Sequence, residues 1–257
     1  MEDNAYIGSV LAGLVYLAVG ARLVRLSIRT RSASEWVLGL AFLIWSLSYA
    51  LWVTSVASQG QPALESQLLI ASRLATTLGG VGIAFFPLLA FRRGSTWAKW
   101  LSASIAICLI VGRVGSSWVG DPEGLEPLTN IWWWFEWIGE IAPAIWIGVE
   151  GLHHYGTTRP RVRLGLCEPI VGQRYLLWGI AGVFWTLLDF VVVGQFVEFW
   201  VTRSWSATMD YLIGFCEIAA LAMIWLAYFA PAAYRRWVAR SASVANPEES
   251  RIPADLR

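Results

Sequence analysis

The chain has 257 residues, of which 57% are hydrophobic and 14% are charged, and its formal net charge is +1. Soluble domains carry about 25% charged residues, so this composition argues against an ordinary soluble domain. The three cysteines form no CxxC pair, so no disulfide framework is predicted.

Apolar runs long enough to cross a bilayer occur seven times along the chain. A helix needs about 20 residues to cross about 30 Å of hydrocarbon. The runs lack the alternating pattern of a membrane β-barrel, and a helix is the other structure that satisfies its backbone in lipid. The predicted fold is therefore an all-α, polytopic bundle of seven transmembrane helices, at about 5–24, 36–57, 67–91, 98–118, 130–151, 175–198 and 207–232.

The basic residues indicate how this bundle is oriented. Residues 1–4 carry Glu2 and Asp3 and no lysine or arginine, which is unlike the start of a signal peptide, so the first helix is expected to remain. Sixteen of the 19 basic residues then fall on the side of the first inter-helix connection. The positive-inside rule predicts an N-terminus outside and a C-terminus in the cytoplasm. Topology accounts for these charges, so no nucleic-acid partner is predicted.

The connections between the predicted helices are short. They favour one transmembrane domain, 1–237, followed by a disordered cytoplasmic tail, 238–257. The longest inner connection covers 153–174. The helical spacing of Arg22, Arg25 and Arg29 indicates that the first helix continues past the membrane as a basic stripe in contact with lipid. Without an output module, cytoplasmic signalling would need a separate partner protein.

Charged residues inside the predicted helices gather towards the outer side. Glu136 and Glu140 stand four residues apart in "NIWWWFEWIGE" (130–140). At about 1.5 Å per residue, the same outer half receives Arg73, Arg113, Asp189 and Glu217, with Asp210 nearer the surface. A charge in mid-bilayer costs at least about 2.5–3.5 kcal/mol on insertion scales. The helix faces agree, since Arg73 shares one side of its helix with small residues such as Gly80 and Ala84.

The acids in this group outnumber the arginines. Glu136, Glu140, Asp189 and Glu217 sum to −4 against +2 for Arg73 and Arg113. The excess carboxyl groups must be protonated, share a water-filled cavity or hold a cation. A purely structural ion-pair network remains the alternative. We expect a ligand site for a cation or small cationic molecule, lined also by Trp133, Trp137 and Trp185, because aromatic faces attract cations.

Three other functions are alternatives to a ligand-binding protein, namely a transporter, an enzyme and an assembly subunit. A proton- or cation-coupled transporter would need a polar path through the inner half, where Glu150 is nearly alone. A membrane-embedded enzyme is disfavoured because no nucleophile or metal-ligand set is complete. An assembly subunit of a larger complex stays open. His153 and His154 follow Glu150 at three and four residues, and a titrating pair or solvent exposure is favoured over a metal site there.

Two resemblances bear on function. Seven helices with an external N-terminus are similar to microbial rhodopsins, but the only lysine is Lys99, outside the seventh helix, so a retinal Schiff base of that kind is excluded. The stretches "WVLGLAFLIWSLSYALW" (36–52) and "FFPLLAFRRGSTWAKWL" (85–101) resemble the second and third helices of seven-helix sensory input regions of bacterial histidine kinases and diguanylate cyclases. That resemblance implies reception of an external or membrane-borne signal at the bacterial inner membrane. No cofactor is predicted beyond a bound cation.

Overall fold

The computed structural model describes residues 2–58, 60–119, 129–204 and 206–244, and all regular secondary structure among them is helical. The bounds of the eight helices are α1 Glu2–Thr30, α2 Ala33–Ala57, α3 Pro62–Ala90, α4 Thr96–Val119, α5 Ile131–Arg163, α6 Pro169–Thr202, α7 Ala207–Phe229 and α8 Ala232–Val244.

Six helices of the described chain are long and apolar enough to cross a membrane. They are Gly8–Thr30, Ala33–Ala57, Pro62–Ala90, Thr96–Ser117, Pro169–Thr202 and Ala207–Phe229. Large apolar side chains such as Leu78 and Phe215 point away from the bundle, each 62% exposed. Such a surface is stable only in contact with an apolar phase. The protein is therefore a multi-pass membrane protein that contacts lipid. The helix α5 falls outside this group because its first turns are dense in tryptophan and carry two glutamates.

The seven long helices form a ring. Each helix packs against the next in the chain, and α1 contacts α7 to close the circle. The helix α4 packs on α3 and α5, which also contact one another behind it. This arrangement leaves α4 at the periphery and places the interior between the other six.

Glycines allow a close approach between α5 and α6 in the ring. A Cβ at Gly182 would clash with the backbone of Gly148, and a Cβ at Gly151 would clash with the backbone of Gly179. Each helix thus carries two glycines three residues apart, and these glycines bring the backbones of α5 and α6 into contact. Small residues serve this purpose in membrane helices, where van der Waals packing largely replaces the hydrophobic driving force.

Local signals account for the ends of these helices. The side chain of Asn130 accepts a hydrogen bond from the backbone N–H of Trp132 at 3.0 Å and caps α5. Proline occupies the first turn of α3 and of α6, where its missing N–H costs no hydrogen bond.

Two expectations about segments predicted to be cytoplasmic were wrong. The connection predicted at 153–174 is mostly helical, since α5 continues to Arg163 and α6 begins at Pro169. The tail predicted to be disordered from 238 begins within α8, whose Val238 side chain is buried. These polar helical segments carry none of the apolar length that identified the membrane helices. The rest of the predicted tail, 245–257, lies outside the described residues.

Candidate functional site

A cavity of about 420 Å³ lies inside the ring, in the half that contains the α2–α3 connection. Three acidic side chains line it, Glu140 of α5, Asp189 of α6 and Glu217 of α7. Aromatic residues supply much of the remaining wall, namely Tyr16, Trp45, Tyr49, Trp52 and Trp185. Its volume is within the range of small-molecule sites, about 300–1,000 Å³.

Glu217 is the most enclosed of the three acids, with 8% of its surface exposed. The Tyr49 hydroxyl of α2 donates a hydrogen bond to its Oε1. The Tyr16 hydroxyl of α1 lies beside the same carboxylate. Three helices therefore meet at this one side chain, which fixes its position in the cavity wall.

Glu140 and Asp189 face the cavity from neighbouring helices and interact electrostatically with each other. The indole N–H of Trp137 donates to the backbone carbonyl of Asp189 at 3.2 Å, which ties α5 to α6 at this level. No lysine or arginine of the described chain lines the cavity. Its carboxyl groups consequently have no counter-ion within its walls.

Several neutral polar groups of the wall have already used their protons. The hydroxyl of Ser72 donates to the backbone carbonyl of Ser48 at 2.8 Å, and that of Thr76 donates to the Ser72 carbonyl at 3.1 Å. The indole N–H of Trp45 donates to the carbonyl of Thr76 at 3.0 Å. A hydroxyl whose proton is engaged retains only lone pairs. The hydroxyls of Ser72 and Thr76 can therefore accept hydrogen bonds from a ligand but have no proton left to donate.

The remaining charged residues of the predicted site lie outside the cavity. Arg113 of α4 forms an ion pair with the buried Glu136 and donates from Nε to Thr77 Oγ1 at 3.0 Å. Arg73 is exposed, contrary to its expected position on the bundle-facing side of α3, although the residues that share its stripe are buried. A long side chain can turn its charged end outwards in this way. Exposed Asp210 accepts a hydrogen bond from Gln195 Nε2 at 2.5 Å.

Two of the three predicted tryptophans also lie behind the wall. Trp133 packs edge-on against Trp134 and Phe196. Trp137 packs edge-on against Trp134 and reaches Asp189 only through the backbone. Only Trp185 lines the cavity, where its ring meets that of Trp45 at 6.2 Å and 87°. The structure thus brings together Glu140, Asp189, Glu217 and Trp185 from the predicted set.

Sequence reasoning missed the aromatic contribution of α1 and α2. Trp45, Tyr49 and Trp52 follow one another at steps of four and three residues, which places them on one helix face. Tyr16 is fully enclosed in the middle of an apolar helix. A buried phenol at that depth requires a polar partner, and this requirement was the available signal.

The cavity ends on an apolar floor. Ile83, Ala144 and Trp185 line its inner end and belong to a buried cluster that continues through Phe86, Ile147 and Trp178. These side chains fill the bundle beneath the cavity. They separate it from the opposite end of the helices.

A second polar cluster lies at that opposite end. Arg92 Nε donates to Glu150 Oε1 at 2.6 Å, and the Trp146 indole donates to the same oxygen at 3.3 Å. The His154 ring is stacked between Phe91 and Tyr175, and its Nε2 lies 3.6 Å from Glu150 Oε2. Burial lowers the pKa of His154 below its ordinary value, aided by His153 and Arg92 and opposed by Glu150. Either a titrating pair or solvent exposure was expected from the sequence at His153 and His154.

Acidification is expected to destabilise the wild-type protein more than a His154→Asn variant. The unfolded chain takes up the histidine proton first, because the folded pKa is depressed. This contribution to stability is complete above the unfolded pKa, about 6.5, and is lost as pH falls from there towards the folded pKa. Thermal unfolding in detergent at pH 7.5 and pH 5.0 measures it. Equal loss in both proteins would show that His154 contributes nothing to the pH dependence.

Comparisons with known proteins do not identify the chain. No family model matches it, and neither the curated proteins nor the solved structures include a match.

Among the described residues, no three His, Cys, Asp or Glu side chains are close enough to hold one metal ion. Glu140, Asp189 and Glu217 therefore surround a space larger than a bare ion.

Proposed function

We propose that this protein is a receptor-like membrane protein that binds a small organic cation, such as an amine, in the acidic cavity. One observation carries the proposal, namely that three carboxyl groups line a cavity of about 420 Å³ without a basic residue among its walls. Desolvation and mutual repulsion make such a group unstable unless a cation or protons balance it. The aromatic rings and the Ser72 and Thr76 hydroxyls, whose protons are already engaged, suit a ligand that carries positive charge and a hydrogen-bond donor.

The proposal includes α5 as a seventh membrane span and an external N-terminus. Thirty-three residues at about 1.5 Å each give α5 a length of about 50 Å. It packs between α4 and α6, both of which are apolar enough to span. The excess of arginine at the opposite end of the bundle supports a cavity on the external side. Single cysteines placed in a cysteine-free background, tested with a membrane-impermeant thiol reagent on intact cells, would determine each end.

Ligand-dependent thermal stability of the purified protein tests the binding function. Choline is a suitable probe, and 3,3-dimethylbutan-1-ol is its neutral isostere. We expect choline to raise the Tm of the wild-type protein, whereas the isostere does not. Glu140→Gln and Glu217→Gln should each weaken choline binding at least about tenfold, because opposite unit charges about 4 Å apart attract one another by about 4 kcal/mol at an effective dielectric constant of about 20.

Asp210→Asn is the matched control for these variants. It removes one acid from an exposed position on α7, outside the cavity. Binding should be unchanged in this variant. Equal stabilisation by choline and its neutral isostere, or no stabilisation by choline, tetramethylammonium or a primary alkylamine, would refute a cation site.

The second candidate, a proton- or cation-coupled transporter, uses the same carboxyl groups. The apolar floor of Ile83, Ala144 and Trp185 argues against it, because a transported ion would need a polar path beyond these residues. We expect no choline uptake into proteoliposomes. Uptake driven by a pH gradient and abolished by Asp189→Asn would instead favour transport.

A further inference from the structure

We propose that the groove between α1 and α7 at the basic end of the bundle binds the phosphate headgroup of an anionic phospholipid. The groove encloses about 650 Å³ and is independent of the acidic cavity. Its polar wall consists of Arg22, Arg25 and Arg29 of α1, and Tyr228 and Phe229 of α7 face them.

The three arginines share one side of α1, since they follow at steps of three and four residues. Ala18 and Ala21 form the floor one turn earlier, and their small side chains leave room beside the guanidinium groups. The Arg22 guanidinium lies over the ring of Phe229 at 4.3 Å and over that of Trp225 at 5.0 Å. This stacking holds the guanidinium plane while its N–H edges remain available to phosphate oxygens.

The groove carries uncompensated positive charge. Within the described chain, no carboxylate lies within ion-pairing distance, 4.0 Å, of any of the three arginines. Glu35, the acid that acts electrostatically on Tyr228, accepts a hydrogen bond from Thr30 at 2.5 Å. Three guanidinium groups beside one engaged acid favour an anionic partner, and phosphate matches the fork of N–H donors.

The level of the groove identifies a lipid as the source of that phosphate. The apolar helix α7 ends at Phe229, which marks the edge of the hydrocarbon layer, and Arg22 is level with that residue. Arg25 and Arg29 lie about 4.5 and 10.5 Å further along α1, in the headgroup layer. In the other direction, exposed Leu14 and Leu17 continue the surface of α1 and offer a path for an acyl chain. A soluble anion would use only the charged part of this surface.

Thermal unfolding of the protein in nanodiscs tests the site. The lipid is phosphatidylcholine alone or a mixture with one fifth phosphatidylglycerol. We expect the anionic lipid to raise the Tm of the wild-type protein by several degrees, since juxtamembrane arginines are attracted to anionic headgroups. The Arg25→Gln/Arg29→Gln double variant should lose most of this increase.

Arg235→Gln/Arg236→Gln is the matched control, because it removes the same charge from exposed positions on α8. This variant should keep the stabilisation by phosphatidylglycerol. Equal loss of this stabilisation in the two double variants would indicate a general attraction of the basic surface to anionic lipid rather than a specific site. Full stabilisation of the protein in phosphatidylcholine by millimolar inorganic phosphate would show that the groove binds a free anion rather than a lipid, and either result overturns the proposal.

Discussion

Arg92→Gln is expected to destabilise the protein by about 2–3 kcal/mol. The substitution leaves Glu150, whose side chain is only 5% exposed, without the cation that neutralises it. Removing one partner of a fully buried ion pair costs about 3–5 kcal/mol, because a desolvated charge is left uncompensated. The value here is lower because Arg92 is 38% exposed and water already screens the pair. Glutamine also removes the guanidinium group that lies 5.8 Å from the centre of the Trp97 ring, although it retains part of the apolar stem.

Glu150→Gln should lower the free energy of unfolding less than Arg92→Gln does, and the difference between the two variants tests this interpretation. Glu150→Gln leaves Arg92 at the surface, where water can solvate its charge, and retains an acceptor for the Trp146 indole. The double variant should therefore resemble Glu150→Gln rather than sum the two losses. Titration with SDS in mixed micelles measures all three. If Arg92→Gln were no more harmful than Glu150→Gln, the pair would be a surface salt bridge of little consequence.

Gly182→Ala is expected to destabilise the protein by about 3 kcal/mol. The new methyl group would lie less than 3.0 Å from backbone atoms of Gly148. Backbone atoms cannot rotate away as a side chain can. The helices α5 and α6 must then separate along their glycine contact. Overpacking of this kind costs about 1–3 kcal/mol, and a backbone neighbour places it at the upper end.

Gly194→Ala provides the matched control on the same helix. A Cβ at Gly194 meets no atom within 4 Å, so this substitution should be neutral or slightly stabilising through the better helix propensity of alanine. The comparison therefore isolates the helix contact from propensity. Because α5 and α6 carry Glu140 and Asp189, Gly182→Ala should also weaken choline binding, which the control should not. Similar stability of the two variants would mean that the helices are not in backbone contact at Gly182.

The sequence predicted the membrane helices well because apolar length is a strong and local signal. Six of the seven apolar runs correspond to helices able to span a bilayer. The extension of α5 to Arg163 and the helix α8 could not be recognised in this way, since their residues are polar and their helical order depends on neighbours. The seventh span and the orientation of the ends stay predictions.

The candidate site was predicted in part, for a related reason. Depth along a helix follows from counting residues, so Glu140, Asp189 and Glu217 were placed at one level and meet around one cavity. The direction of each side chain depends on helix rotation and on rotamer, which residue counting does not give. For this reason exposed Arg73 and Glu136, which pairs with Arg113, lie outside the cavity. The tyrosines beside Glu217 come from helices distant in sequence, and no spacing within one segment indicates such a meeting.

The helix α5 is continuous from the cavity wall to Arg163, and Pro143 lies in that wall. Proline removes one backbone hydrogen bond and creates a natural pivot in a helix. From that pivot the rod extends about 30 Å to its far end, so a tilt of about 5° on occupancy would move Arg163 sideways by about 3 Å. Occupancy of the cavity would thus displace the opposite end of α5, and spin-label distances between residues 163 and 235 with and without choline would detect the movement.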